Sequence, residues 1–393
     1  MKIGIDGSRA FLEKRTGIEE YSYQVIKHLR DKLECHQVVL YIRKNQESRI
    51  KNQGFELPEN WKIKIVNFPY LWTQIGLSLE MLFHPADVLF VPAHTVPIIH
   101  PRKTIVTIHG LEYKFFPQAY SRWARLYMPF VIKNSCRWAS KIISVSENTK
   151  KDLMKLYGVA EQKIDVVYEG YDFNFQFPIS PSKADQPWAG NFQSISNDKI
   201  FNLKNKNKYL LFVGRLEERK NILGIIEAFE ILKEKYQIPH KLVLAGMSGY
   251  GYDKIKFKIQ NSKFKADILE TGYISDEEKF ELMRKVDVFL FPTFYEGFGI
   301  PVLEAQSVGT PVVAGNNSSI PEVVLAKRGS VELEGQKSAL LVDVNNAEEI
   351  AEVTYKLISD NDLREKIIQM GLENVKRFSW EKCAFSIAKL LNK

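Results

Sequence analysis

Little in this chain of 393 residues invites metal, disulfide or membrane-spanning chemistry. Its three cysteines, Cys35, Cys136 and Cys383, lie far apart and match none of the spacings of zinc sites or disulfide frameworks. They read as free thiols in a reducing compartment, with the cytoplasm as the default. No run of 18 apolar residues is long enough to cross a bilayer, and the opening Met1-Lys-Ile-Gly-Ile-Asp6 reads as a strand rather than a leader. The first strand is not followed by G-x-G-x-x-G and no acid closes the second, which argues against a bound dinucleotide. The D-x-D of Asp360-Asn-Asp362 falls between two late helical stretches and reads as a turn with an N-cap. A metal site is therefore not expected.

What is present is ordinary for a globular chain: 45% hydrophobic and 26% charged residues, long enough for two cores. The net charge of +8 is unevenly spread. Residues 1–175 carry 25 Lys/Arg against 18 Asp/Glu, and residues 208–393 carry 26 against 27. The surplus arises within 101–150, where nine basic residues face only Glu112 and Glu147. It reads either as the mark of an anionic partner or as a solvated basic face.

Short β-branched runs alternate with amphipathic stretches. The first half predicts strands at Lys2–Asp6, Val38–Ile42, Lys62–Val66, Val88–Pro92, Thr104–His109, Lys141–Ser146 and Asp165–Tyr168. After residue 207 the pattern restarts, with Tyr209–Val213, Lys241–Ala245, Ile268–Thr271, Val288–Phe291, Pro311–Ala314 and Ala339–Val342. Helices such as Ile222–Lys233 and Asp276–Lys285 separate these strands. Such alternation demands parallel sheets covered on both faces, hence two doubly wound α/β domains. The first spans 1–175 and the second 208–378. The Pro-, Asn- and Lys-rich text of 176–207 reads as a linker or insertion, and 379–393 as a last helix. Sheets of this kind bind ligands at the carboxyl ends of their strands, so two of them predict a shared, central cleft.

Unusual residues gather at those strand ends. Tyr209–Val213 runs into Gly214-Arg215-x4-Lys220-Asn221, where a glycine allows a sharp turn and two cations precede a helix N-terminus. A departing diphosphate needs such a place, because its charge grows as its bond to a sugar breaks. The strand Val288–Phe291 runs into Pro292-Thr-Phe-Tyr-Glu296-Gly-Phe-Gly-Ile-Pro301-Val-Leu-Glu304. Glu296 falls in the loop and Glu304 in the first turn of a helix starting near Pro301, where proline is tolerated. The amides around Phe298, Gly299 and Ile300 suit phosphate or sugar oxygens, and the two carboxylates suit paired hydroxyls.

Together these segments resemble the signature of retaining glycosyltransferase family 4, whose members have the GT-B fold. The E-x7-E motif is met by Glu296 and Glu304, followed by Ala305-Gln-Ser-Val-Gly-Thr-Pro-Val-Val313. The resemblance is strong over 208–378 and looser over 1–175. It implies two Rossmann-like domains facing a central cleft, with the helix from about Trp380 crossing back to the first. It further implies that Glu296 holds donor-sugar hydroxyls, Glu304 the ribose, and Arg215 with Lys220 the diphosphate. Ile274 would meet the nucleobase through its backbone, and the amides of the Gly17 loop would approach the phosphates. Thr104–His109 ends in the histidine that contacts the transferred sugar in this family, but His109-Gly110 replaces the usual His-Asp. In the Gly17 loop, Glu19-Glu20 stands where relatives often have Gly-Arg, and two acids beside a diphosphate are unfavourable unless they face away. Ser146 is expected to cap the helix Glu147–Leu156.

The expected activity is therefore retaining, metal-independent hexosyl transfer from a nucleotide diphosphate sugar, with that sugar as co-substrate and no other cofactor. The catalytic candidates are Glu296, His109, Arg215 and Lys220. The Phe298-Gly-Ile-Pro-Val-Leu-Glu304 wording leans toward mannosyltransferase-like relatives and GDP-mannose. A glycan or polyprenyl-diphosphate-linked glycan is the expected acceptor, and no nucleic acid is expected as a partner. The basic aromatic stretch Tyr120–Lys141 fits either a core-packed helix or one lying on an anionic membrane, at its inner face. A nucleotide-sugar 2-epimerase on the same fold and a non-catalytic sugar-binding protein are the alternatives.

Overall fold

The computed structural model describes residues 1–13, 15–171, 208–324 and 337–392. The segment read as a linker, 176–207, lies outside them. The strands are β1 (Lys2–Asp6), β2 (Gln37–Ile42), β3 (Trp61–Ile65), β4 (Val88–Val91), β5 (Lys103–Ile108), β6 (Lys141–Ser144) and β7 (Ile164–Val166). They pair in parallel in the order β3-β2-β1-β4-β5-β6-β7. In the second half, β8 (Tyr209–Val213), β9 (Lys241–Ala245), β10 (Ile268–Gly272), β11 (Val288–Phe291), β12 (Val312–Gly315) and β13 (Leu340–Val342) pair in parallel in the order β10-β9-β8-β11-β12-β13. Every residue of β8 and of β11 is buried, as expected for central strands covered on both faces.

Chain contacts divide the protein into two compact units. The first comprises Met1–Gly170, Tyr295–Ile300 and Phe378–Lys393; the second comprises Tyr171–Phe294 and Pro301–Arg377. The segment Tyr295–Ile300, read from the sequence as part of the second domain, thus groups with the first. Gly297 explains how: a Cβ built there would lie 1.7 Å from the His109 carbonyl oxygen, so only glycine lets the two backbones meet. The last helix, Trp380–Asn392, also belongs to the first unit, burying Trp380, Cys383, Ala384, Ile387 and Leu391. Gly170 admits it, since a Cβ there would collide with the Trp380 backbone nitrogen at 2.2 Å.

Candidate active site

In the first unit the site grows from β5. The strand ends at Ile108, one residue short of expectation, and His109 follows it. Its ring is buried, with Nδ1 3.1 Å from Glu169 Oε1 and Nε2 2.9 Å from the Pro92 carbonyl oxygen. The Tyr21 ring stands edge-on at 4.5 Å, and Tyr21 lies one turn into the helix Gly17–Leu29. Gly17 and His109 are thereby tied into one packed group. His94 crosses His109 at 5.3 Å, and its buried Nδ1 has no partner among the described residues. Burial first, then the charges of His109 and Arg9, push the His94 pKa down to about 3, so this ring stays neutral. Among the described residues, a Cβ added at Gly17 meets nothing within 4 Å. Their packing does not require a glycine there, and they leave the helix start open.

The Tyr295–Ile300 segment is bolted to this group. The Tyr295 hydroxyl accepts from the Leu111 amide at 3.1 Å and donates to Asp152 Oδ2 at 2.8 Å. Its ring stacks on Phe115 at 4.6 Å. Burial raises the Asp152 pKa, partly offset by hydrogen bonds from Tyr295 and Asn148. Thr149 Oγ1 donates to the Gly297 carbonyl at 3.4 Å, and Phe298 packs between Tyr168 and Phe378. Glu296 is held buried in the middle of this fastened loop. Gly299, at φ 118°, makes the final turn, and the helix Ile300–Ser307 starts directly after it. That start corrects the expectation for Glu304: it falls at the fifth helical position, just past the first turn, and Pro301 sits at the second.

In the second unit, β8 ends at Val213 and runs into Gly214, whose φ is 149°. Its carbonyl oxygen would be 1.9 Å from a Cβ on Gly246, so the loops after β8 and β9 pack backbone on backbone. Arg215 is exposed and, among the described residues, makes no ion pair. Its stem lies along Gly249, where a Cβ would come within 2.7 Å of Arg215 Cγ. Lys220 is buried, with Nζ 5.3 Å from the Phe291 ring centre. Asn221 closes the turn in the left-handed conformation, at φ 57°. It caps the helix Ile222–Lys235 by accepting from Gly224 N at 3.3 Å, and its amide donates to the Pro292 and Val344 carbonyls at 3.0 and 2.7 Å. This one side chain joins the cationic turn to the ends of β11 and β13.

Ile274 lies between β10 and the Ser275 N-cap of the helix Asp276–Lys285, half-buried against the core. Lys279 of that helix reaches Glu304 Oε1 at 2.7 Å, so the segments carrying Ile274 and Glu304 are linked.

Residues 15–175 match the family profile described as Glycosyltransferase Family 4, and residues 194–373 that described as Glycosyl transferases group 1. This chain belongs to glycosyltransferase family 4. It is 24% identical over 379 residues to the O-antigen chain mannosyltransferase B of Escherichia coli, covering 94% of this chain and 93% of the relative. It is 23% identical over 250 residues to the O-antigen chain mannosyltransferase RfbU of Salmonella typhimurium, covering 64% and 62%. Among solved structures, Anabaena HepE in complex with UDP-glucose superposes with a TM-score of 0.70 at 17% identity, covering 100% of this chain and 99% of that one. WaaG, a glycosyltransferase involved in lipopolysaccharide biosynthesis, gives 0.66 at 15% identity, covering 98% of each. The fold is GT-B.

Two departures from the family-4 pattern have local explanations. Glu19 closes a capping box with Thr16, its Oε2 accepting from the Thr16 amide at 3.2 Å, while Oε1 takes Arg9 at 3.3 Å. Glu20 accepts from Arg15 Nε at 2.6 Å and from Gln24 at 2.7 Å. Each acid is matched by its own arginine, which relieves the conflict expected from Glu19-Glu20. Gly110 replaces the usual aspartate where a Cβ would lie 3.0 Å from Glu112 Oε2 and 3.2 Å from Gly297 Cα. An aspartate would crowd the fastened loop and face a second carboxylate.

Ser146 caps its helix as expected, accepting from Thr149 N at 3.0 Å, and Asp360 caps the helix Asn361–Val375. Sequence reasoning missed Tyr295, Asp152, Glu169, Gly249 and Lys279. Only Gly249, in the Gly-rich Gly246-Met-Ser-Gly-Tyr-Gly251 loop after β9, carried a local signal.

Proposed function

We propose that this enzyme transfers mannose from GDP-mannose, with retention and without a metal, to a glycan or polyprenyl-diphosphate-linked acceptor. The observation that carries the reading is the turn after β8, which carries an exposed Arg215, without an ion pair among the described residues, and a buried Lys220. Paired cations of this kind suit a diphosphate whose charge rises during the reaction. In the reading, Lys220 and Arg215 hold the diphosphate and Glu304 the ribose. The Ile274 backbone meets the base, Glu296 takes the sugar hydroxyls, and the open Gly17 helix start accommodates phosphate oxygens. The amides around Phe298, Gly299 and Ile300 serve phosphate or sugar oxygens. His109 contacts the transferred sugar. The acceptor hydroxyl attacks the anomeric carbon on the face the diphosphate leaves. The carbon–oxygen bond to the diphosphate breaks, and a diphosphate oxygen takes the hydroxyl proton. No protein base is needed. Metal independence rests on Asp360-Asn-Asp362 serving as a helix cap rather than a ligand pair.

The test is a transfer assay with GDP-mannose, dTDP-rhamnose and UDP-hexoses, the product's anomer being read by NMR. We expect an α-linked mannoside from GDP-α-mannose, at a rate within about twofold with chelator present. Epimerised nucleotide sugar as the product, or activity lost to chelator and restored by magnesium, overturns the reading. Thermal shift ranks the bases independently, since a ligand at 100 times its Kd stabilises by about 2.7 kcal/mol.

The membrane part of the reading rests on the helix Arg122–Trp138. Its Val131, Ile132, Ser135 and Cys136 are buried, whereas Trp123, Leu126 and Phe130, three and four residues apart, are exposed. The second half of the helix is thus packed into the core, and the first half leaves an apolar face exposed, which supports the membrane reading. The helix carries Arg122, Arg125, Lys133 and Arg137 and no acid. Nearby, the Ile99 amide donates to Ser78, beside exposed Ile75, Leu79 and Ile98. Among the described residues no helix is long and apolar enough to cross a membrane, and the reading places the enzyme peripherally at the inner, cytoplasmic face. Vesicles containing anionic lipid should bind the protein at low salt and release it as salt rises, and Trp123→Ser with Phe130→Ser should weaken binding about tenfold or more. Indifference to such vesicles at low ionic strength sinks this part.

A further inference from the structure

Lys279 is a mostly buried lysine that no recognised motif contains. Its side chain is 15% exposed, and Nζ makes two short ion pairs, 2.8 Å to Asp276 Oδ1 and 2.7 Å to Glu304 Oε1. Asp276 is mostly exposed and its pair is worth little, but Glu304 is as buried as the lysine. Burial alone would lower the lysine pKa; the Glu304 carboxylate, and then Asp276, outweigh it and raise the pKa above the usual lysine range. The residue is a fixed cation. The capping box of Ser275 and Glu278 fixes the start of the helix that carries it.

The geometry on Glu304 is one-sided. Oε1 is taken by Lys279, while among the described residues Oε2 accepts no hydrogen bond and is not sealed from solvent. A carboxylate held at one oxygen cannot rotate freely, so the second oxygen is presented in one direction. The ammonium also cancels a negative charge that would otherwise repel a nucleotide diphosphate. We propose that Lys279 is the positioning residue for ribose recognition: it clamps Glu304 Oε1 and leaves Oε2 to accept from a ribose hydroxyl. The proposal rests on the reading that Glu304 holds the ribose. It adds that the helix following Ile274 serves both base and ribose, the first through the backbone before it and the second through Lys279.

Calorimetry on the full chain tests this with GDP and UDP beside their 2′,3′-dideoxy forms, which lack the hydroxyls. A hydrogen bond to a charged group is worth enough that the wild type should prefer the hydroxylated form of its nucleotide about tenfold or more. In Lys279→Met that preference should fall below about threefold. A merely structural lysine would weaken both forms equally and leave the ratio unchanged. Lys279→Gln keeps a donor in the buried position and protects the fold, and its ratio should lie between the two. Lys279→Arg, which keeps the charge, should recover most of the preference. Glu304→Gln separates the two possible failures. If it abolishes the preference while Lys279→Met or Lys279→Gln keeps the wild-type ratio, Lys279 has no positioning role and the Glu304 reading stands. If Glu304→Gln itself keeps the ratio, or the wild type shows none, the ribose assignment falls and the proposal with it.

Discussion

Lys220→Met is expected to lower kcat/KM by about 10³-fold while leaving the melting temperature within a few degrees. Lys220 is buried at the end of a turn held by Asn221, which ties it to the carbonyls of Pro292 and Val344. A cation fixed in this way does not have to reorganise as charge builds on the leaving diphosphate. In a site shielded from water such preorganisation is the largest catalytic term, and one donor is typically worth 10²–10³-fold. Removing a full charge rather than a neutral donor justifies the upper end. Methionine puts an apolar group of similar length where the ammonium meets Phe291, so the volume is retained and the loss is read as chemistry. Steady-state kinetics and a melting curve check this together. A variant within threefold of wild type would mean that the diphosphate lies elsewhere, and a collapsed melting temperature would move the effect to folding.

Glu296→Gln is expected to cost about 10²-fold in kcat, equivalent to about 2.7 kcal/mol of transition-state stabilisation. Positive charge develops at the anomeric carbon as the diphosphate leaves, and a carboxylate on the neighbouring hydroxyls gains strength with it. The amide is nearly the same size and leaves the loop fastened by Tyr295, Gly297 and Phe298. Binding of GDP alone should be unchanged, because that ligand has no sugar for Glu296 to hold. The assignment is falsified if Glu296→Gln weakens GDP binding as much as Glu304→Gln does.

The core of this fold is written locally. Tyr209-Leu-Leu-Phe-Val213 is an unbroken apolar run bounded by turn residues, and such a run has few places to go except a central parallel strand. The cationic turn and the E-x7-E loop were legible for a related reason: glycines and prolines fix backbone geometry within a few residues. Helix starts were legible to within a residue, and the error at Ile300 traces to Gly299 completing its turn sooner than proline alone suggests. What holds the site was not legible. Tyr295 meets Asp152 across 143 residues, His109 meets Glu169 across 60, and Lys279 meets Glu304 across 25. A tyrosine or lysine in such a pair looks the same in sequence as one facing water, because its partner is chosen by tertiary packing. The helix Arg122–Trp138 shows the limit from the other side. Its apolar positions were plain, but the sequence did not divide them into a buried half and an exposed half.

The first unit is assembled from three stretches of chain, and its last contribution, Phe378–Lys393, is synthesised only after the whole of the second unit. While the ribosome is still making the intervening residues, the seat of Trp380 against Gly170 and Tyr21 stays vacant. The half of the protein that emerges first therefore cannot finish folding first, against the usual order for chains of successive domains. A fragment stopped near residue 170 would carry the edge of Tyr21 and the faces meant for Ala384, Ile387 and Leu391 uncovered, and with them a tendency to aggregate. For a cell, the vulnerable moment of this enzyme is the interval before the helix Trp380–Asn392 leaves the exit tunnel.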